Sequence, residues 1–201
     1  MYKRSLKHPI TALLIAILAC GFAMVMNTQM MLGEKVQEIE DGFFTSTPGE
    51  RSIYSRLSEK LDASNGLWTI LESEDAAAAE ELSVSRSALL TAYESRDIAA
   101  MYDANAELDK AFASAKAAAE AAELDESQAS ALSSYVTNYE GASKMIEQSS
   151  YNSSVLEFMR SVYNKFPASR LADFAGVEPA VSFELTRETF RMKRIFALIL
   201  A

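Results

Sequence analysis

Seven carboxylates on predicted helices are the side chains whose type and number could support chemistry. They are Glu80, Glu81, Asp103, Glu107, Glu120, Glu123 and Glu140. Acid–base catalysis needs two acids in a partly dry cleft, and a di-metal bundle needs Glu-x-x-His repeats. The chain has no such repeat, and its single histidine, His8, lies at the edge of an apolar segment. We interpret the carboxylates as solvated helix faces and predict no catalytic, metal or cofactor site and no enzyme activity.

Other chemistry lacks the residues it requires. One cysteine excludes an internal disulfide framework, and with one histidine it also excludes Cys/His zinc sites. No phosphate-binding loop, Gly-x-Gly-x-x-Gly or Gly-x-Ser-x-Gly occurs, so nucleotide and hydrolase functions have no motif in support. Residues 34–186 carry 12 basic and 27 acidic side chains, and this excess disfavours nucleic-acid binding.

Length and composition indicate one helical domain with an anchor. The 201 residues are 49% hydrophobic, which is enough to form a core, and seven glycines and four prolines favour long regular elements. The elements that hold the carboxylates should therefore be long helices.

Residues 9–32 are almost wholly apolar and match the thickness of a bilayer, about 30 Å at about 1.5 Å per residue. We predict a transmembrane helix here, with the lipid bilayer as its partner. Residues 1–8 carry Lys3, Arg4 and Lys7, whereas acids dominate after the segment. The positive-inside rule places the basic N-terminus in the cytoplasm and the acidic body outside.

Two alternatives concern the same segment. A signal peptide that is cleaved would have a shorter apolar region ending in small residues, whereas this one continues through Phe22 and Met26. The run Ile17-Leu18-Ala19-Cys20 is similar to the lipobox of bacterial lipoproteins, in which Cys20 would be acylated, but apolar residues follow it. We favour an uncleaved helix containing a membrane-embedded cysteine.

A polar linker is predicted over residues 33–46, and a helix start follows it. Thr47-Pro48-Gly49-Glu50 offers a capping hydroxyl, a proline at the first helical position and a glutamate three residues after the cap. We predict a helix from about 48 to 72, with Asn65-Gly66 as a possible kink or interruption.

Three further boundaries divide the remaining chain. Breaks are expected at residues 73–75, at 95–97 and at 124–127, where Asp125 and Gln128 form a capping pair. Residues 149–154 are a weak point in the next helix, and Pro167 stops it. Apolar residues recur every three or four positions between the breaks. The main ones are Ile53, Leu57, Leu61, Leu67, Leu71, Leu82, Leu89, Met101, Leu108, Leu132, Tyr139, Ile146, Val155 and Phe158.

These stripes predict an all-α fold, in which the transmembrane helix precedes an antiparallel bundle of about four long helices over residues 47–184. Nothing between residues 48 and 166 has the pattern of a strand.

The end of the predicted bundle carries a pattern of aromatic, proline, glycine and small residues: Tyr151, Asn152, Val155, Phe158, Val162, Phe166, Pro167, Ala172, Gly176, Pro179, Phe183 and Glu184. This pattern resembles the closing motif of the LemA family. The segment Ser64-Asn65-Gly66-Leu67-Trp68 stands where the family carries a different stretch, so the chain is identified as a divergent member. The resemblance implies a bacterial membrane-anchored helical protein, and the family has no settled activity.

The matched residues also predict local structure. Gly176 should supply a turn or a close backbone approach, and Phe166, Phe174 and Phe183 should close the open end of the bundle.

The C-terminal tail, residues 185–201, joins basic residues to an apolar run too short to span a bilayer. We expect it to pack on the bundle or self-associate. Binding to the membrane interface or to a partner is the alternative.

Function is predicted at the level of class. We expect an extracytoplasmic interaction or scaffold module at the bacterial cell envelope, with a protein partner or self-association. The alternative is a sensory ectodomain that binds a small ligand between helices, and an enzyme that uses only carboxylates ranks third.

Overall fold

The computed structural model describes residues 9–183, and the part it describes is all-α, as predicted. The helices are α1 (Pro9–Phe44), α2 (Ile53–Glu74), α3 (Ala76–Ser95), α4 (Ile98–Ala121), α5 (Glu126–Glu147), α6 (Ser150–Val162) and α7 (Ala168–Phe174). No strand occurs between residues 9 and 183, where Thr47 and Glu50 form one isolated bridge. The basic N-terminus with His8 and the tail 185–201 lie outside the described residues.

The chain divides into two compact units. One contains α1 as far as Ile39 together with residues 156–180, and the other contains residues 40–155 and the segment that begins at Val181. The second unit holds the four long helices of the predicted bundle, α2 to α5, and α2 packs against each of the other three.

Short connections make neighbouring bundle helices antiparallel. Asp75 alone separates α2 from α3, and its carboxylate accepts hydrogen bonds from the backbone N–H of Ala77 and Ala78. Asp97 caps α4 in the same way, and Asp125 with Gln128 forms the predicted capping box of α5. Because each cap satisfies amides that have no partner within the helix, the sequence sets these three starts locally.

The predicted stripes form the core. Leu57, Leu67, Leu71, Leu82, Leu89, Met101 and Leu108 are completely buried, and smaller residues such as Ala115 and Ala119 let α4 approach its neighbours closely. The expected all-α bundle is therefore confirmed, with apolar packing as its main source of stability.

The polar segment 33–46, predicted as a linker, is helical as far as Phe44. Its glutamates and its lysine are good helix formers, and Lys35 pairs with Glu38 one turn later at 2.7 Å. The apolar part of α1 is long enough to cross a membrane by length and composition, and it is unburied. The charged residues for which a linker was predicted therefore do not end α1, which continues through them to Phe44.

The predicted helix start at Thr47 is wrong. Thr47 and Glu50 exchange two backbone hydrogen bonds, of 2.9 and 3.1 Å, around Pro48 and Gly49, and Gly49 has φ 93°. Proline followed by a glycine with positive φ is the signature of a type II turn, which competes with the helix start for the same residues. The helix begins instead after Ser52, whose hydroxyl accepts from the N–H of Ser55 at 3.2 Å.

Candidate functional site

The seven carboxylates considered above are all exposed. Glu140 pairs with Lys116 at 2.8 Å and Glu107 pairs with Lys110 at 2.7 Å, both on the surface. No group of three or more His, Cys, Asp or Glu side chains between residues 9 and 183 could hold a metal ion. The structure does not bring these carboxylates together in a cleft.

A different polar cluster, which the sequence analysis missed, lies inside the bundle. It consists of Lys60 on α2, Asn105 and Asp109 on α4, and Tyr139 on α5. The Lys60 amine donates to Asp109 Oδ1 at 2.6 Å and to Asn105 Oδ1 at 2.5 Å, and the Tyr139 hydroxyl donates to the same Asp109 oxygen at 2.8 Å. Asn105 Nδ2 completes the cluster by donating to Asp109 Oδ2 at 3.1 Å.

Aromatic rings enclose this cluster on one side. The Lys60 amine lies 4.7 Å from the centroid of the Tyr139 ring, and Phe112 stacks on the same ring at 3.6 Å. Lys60 is 1% exposed, whereas the side chain of Asp109 is 42% exposed. The ammonium is therefore dry, and the carboxylate that neutralises it reaches water.

Burial dominates the electrostatics of the cluster. It lowers the pKa of the Lys60 amine, while the charge of Asp109 and its hydrogen bond act in the opposite direction. Burial also raises the pKa of the Tyr139 hydroxyl, and the nearby charge of Asp109 raises it further. The Tyr139 hydroxyl therefore stays protonated and remains a hydrogen-bond donor at neutral pH.

The geometry of the cluster fits a role in holding α2, α4 and α5 together better than a role in catalysis. An amine with a lowered pKa can act as a nucleophile, but it must reach its substrate, and Lys60 is enclosed. Its partners on α4 and α5 tie three helices together in one register. The signal in the sequence was a lysine at a core position of α2, between Leu57 and Leu61.

Three of the residues that carry the LemA resemblance, Tyr151, Asn152 and Phe183, are brought together in the unit that contains the bundle. The Tyr151 hydroxyl donates to the Val181 carbonyl at 2.6 Å, and Asn152 Oδ1 accepts from the N–H of Phe183 at 2.9 Å. Phe43 is fully buried, with its ring centroid 5.3 Å from those of both Tyr151 and Phe183. The Tyr-Asn pair thus holds residues 181–183.

Two of the three phenylalanines expected to close the bundle do not do so. Phe183 is 4% exposed, as expected, but Phe166 and Phe174 are 86% and 83% exposed. They lie on the turn before α7 and at its last residue, and α7 has only seven residues. Gly176 does supply the predicted turn, with φ 67° just after α7.

A shallow groove of about 400 Å³ lies between α2 and α3. Its lining combines one half-buried tryptophan with small and acidic residues: Trp68, Glu72, Ala76, Ala79, Glu80, Ser83 and Val84. A groove of this volume between two helices could receive a small ligand.

Comparison with known proteins adds no relative. No family model, curated protein or solved structure matches the chain.

Proposed function

We propose that the protein is a single-pass membrane protein of the LemA type whose helical bundle is an extracytoplasmic interaction or scaffold module at the bacterial cell envelope. The observation that carries the proposal is α1, whose apolar stretch is unburied and long enough to cross a membrane. Its exposed side chains include Leu14, Leu18 and Phe22, which water solvates poorly and lipid solvates well.

Charge supports the orientation. Lys3, Arg4 and Lys7 precede the apolar stretch, and acids predominate after it, so the bundle belongs on the outer side. The contacts of Tyr151, Asn152 and Phe183 give a physical role to the residues that resemble the LemA closing motif. These contacts hold residues 181–183 within the unit that contains the bundle.

Protease accessibility in intact spheroplasts tests the orientation. We expect an added protease to cut the bundle while a cytoplasmic control protein stays intact, and we expect the same for a chain truncated after Glu184. Protection of the bundle in sealed spheroplasts would contradict the proposal. If the bundle is cut, crosslinking from exposed α5 positions, such as Ser133, identifies envelope partners or a second copy.

The groove beside Trp68 supports the second candidate, a ligand-binding ectodomain. Trp68 is the only tryptophan of the chain, so its fluorescence reports directly on this groove. A saturable change in emission with a panel of small envelope metabolites would favour the ectodomain. The scaffold proposal expects no such change.

A further inference from the structure

The inference concerns residues 163–177, which we call the 163–177 loop and which include α7. Phe166 and Phe174 on this loop are 86% and 83% exposed. Among the other large hydrophobic side chains of residues 45–183, the most exposed is Val84, at 64%. Two phenylalanines this exposed on one short loop indicate a surface that contacts lipid or another protein.

The backbone of the loop is closed at both ends. The Tyr163 hydroxyl donates to the Val177 carbonyl at 2.7 Å and joins the two ends of the loop. The N–H of Val177 also bonds to the Ala172 carbonyl at 3.1 Å, around Gly176 in the left-handed region. These hydrogen bonds fix the backbone of the loop that carries the two exposed phenylalanines.

Bases outnumber acids around the phenylalanines, unlike in the rest of the chain after α1: residues 156–174 carry three bases against Glu157 and Asp173. Residues 159–172 contain Arg160, Lys165 and Arg170 and no acid, and all three bases are exposed. Asp173 follows them, beside Phe174. Exposed aromatic rings mixed with arginine and lysine are typical of proteins that bind the interface of an anionic membrane.

We propose that the 163–177 loop binds the headgroup region of an anionic bilayer, with Phe166 and Phe174 entering the acyl boundary. Lys165 and Arg170 on the loop, and Arg160 just before it on α6, contact lipid phosphates. The proposal rests on the proposed membrane anchoring by α1. The loop belongs to the same compact unit as α1 up to Ile39, and a chain tethered by α1 meets the lipid at high effective concentration. A second copy is disfavoured as the occupant because it would present the same basic surface.

Site-specific fluorescence in nanodiscs tests the proposal with the full chain. On a Cys20→Ser background, a single cysteine at Phe166 or at Phe174 carries an environment-sensitive NBD label, and the lipids carry a nitroxide quencher. A label at Ser133, exposed on α5, is the water control, and a label at Leu18 in α1 reports insertion of the anchor.

We expect labels at positions 166 and 174 to emit at shorter wavelength than the label at 133 and to be quenched at least about threefold more by lipid nitroxide in discs containing phosphatidylglycerol. The charge-reversed variant R160E/K165E/R170E should lose most of this quenching. Its far-UV circular dichroism should be unchanged, because the three side chains are exposed.

The Leu18 label separates the two proposals. If Leu18 is quenched while positions 166 and 174 match position 133, the loop proposal is overturned and the anchor stands. If Leu18 is not quenched, the anchoring itself is overturned, and the loop proposal with it. Short-wavelength emission at 166 and 174 without lipid quenching would mean that protein covers the loop, which also overturns the proposal.

Discussion

At the scale of single residues, Gly66 shows how a weak helix former can be required by its neighbour. The sequence predicted a kink or interruption at Asn65-Gly66, yet α2 continues from Ile53 to Glu74. A Cβ at position 66 would overlap the ring of Tyr135 on α5. Gly66 is therefore needed for close packing between α2 and α5, and it does not interrupt α2.

Gly66→Ala and Gly141→Ala form a matched pair, because both sites are helical and only the first has a neighbour in the way. Gly141→Ala should raise the free energy of unfolding by up to about 1 kcal/mol through helix propensity. Gly66→Ala should lower the free energy of unfolding by about 1 kcal/mol, because displacing Tyr135 costs more than the gain in helix propensity. Chemical denaturation followed by circular dichroism measures both.

In a Tyr135→Ala background the overlap is removed, so Gly66→Ala should become stabilising there. If its effect on unfolding stays the same in both backgrounds, the ring of Tyr135 is not the reason for the glycine.

The buried cluster around Lys60 predicts an asymmetry between the two halves of one ion pair. Asp109→Ala leaves an ammonium that is 1% exposed without its carboxylate and should cost about 3 kcal/mol of unfolding free energy. Lys60→Met keeps the volume and leaves Asp109 with two donors and access to water, so it should cost less than about 1.5 kcal/mol. A larger loss for Lys60→Met than for Asp109→Ala would contradict this account.

At the scale of elements, Glu50 links a turn to a helix that is 100 residues away in sequence. Its carboxylate accepts from the N–H of Ser150, at the start of α6, at 2.8 Å. This backbone hydrogen bond is the main cause of the lowered pKa of Glu50. The glutamate that the sequence assigned to capping one helix thus caps another.

Because the pKa of Glu50 is lower in the folded state, the unfolded state binds more protons as the pH falls below about 4.5. The stability that the carboxylate contributes is therefore present above pH 4.5 and is lost as the pH falls through the folded value. Glu50→Gln should flatten the decline in unfolding free energy between about pH 5 and 3. Glu81→Gln, at an exposed site on α3, is the control and should follow the parent chain.

At the scale of the whole molecule, the proposed membrane location depends on one apolar helix, α1. Leu18 lies in the middle of the apolar stretch of α1 and is 71% exposed. Leu18→Arg should make membrane insertion less favourable by about 2.5–3.5 kcal/mol, and a large share of the protein should then be extracted by alkaline carbonate. Leu18→Ile should stay in the pellet, and equal extraction of the two variants would argue against a spanning helix.

The sequence by itself determined the all-α fold, the four long bundle helices, the breaks before α3 and α4, and the capping of α5 by Asp125 with Gln128. These features follow from periodicity and from bonds between residues two or three positions apart, which a sequence displays directly. The burial of the leucine stripes was predictable for the same reason.

Only the tertiary structure decided which distant residues meet. The pairing of Lys60 with Asp109, the approach of Tyr135 to Gly66 and the capping of α6 by Glu50 depend on which helix faces which. Local patterns also misled where two structures compete for the same residues, as at Thr47-Pro48-Gly49-Glu50, which forms a turn. Phenylalanine is usually a core residue, yet the tertiary structure leaves Phe166 and Phe174 outside the core. The sequence does not show this, because burial depends on neighbours that are distant in the chain.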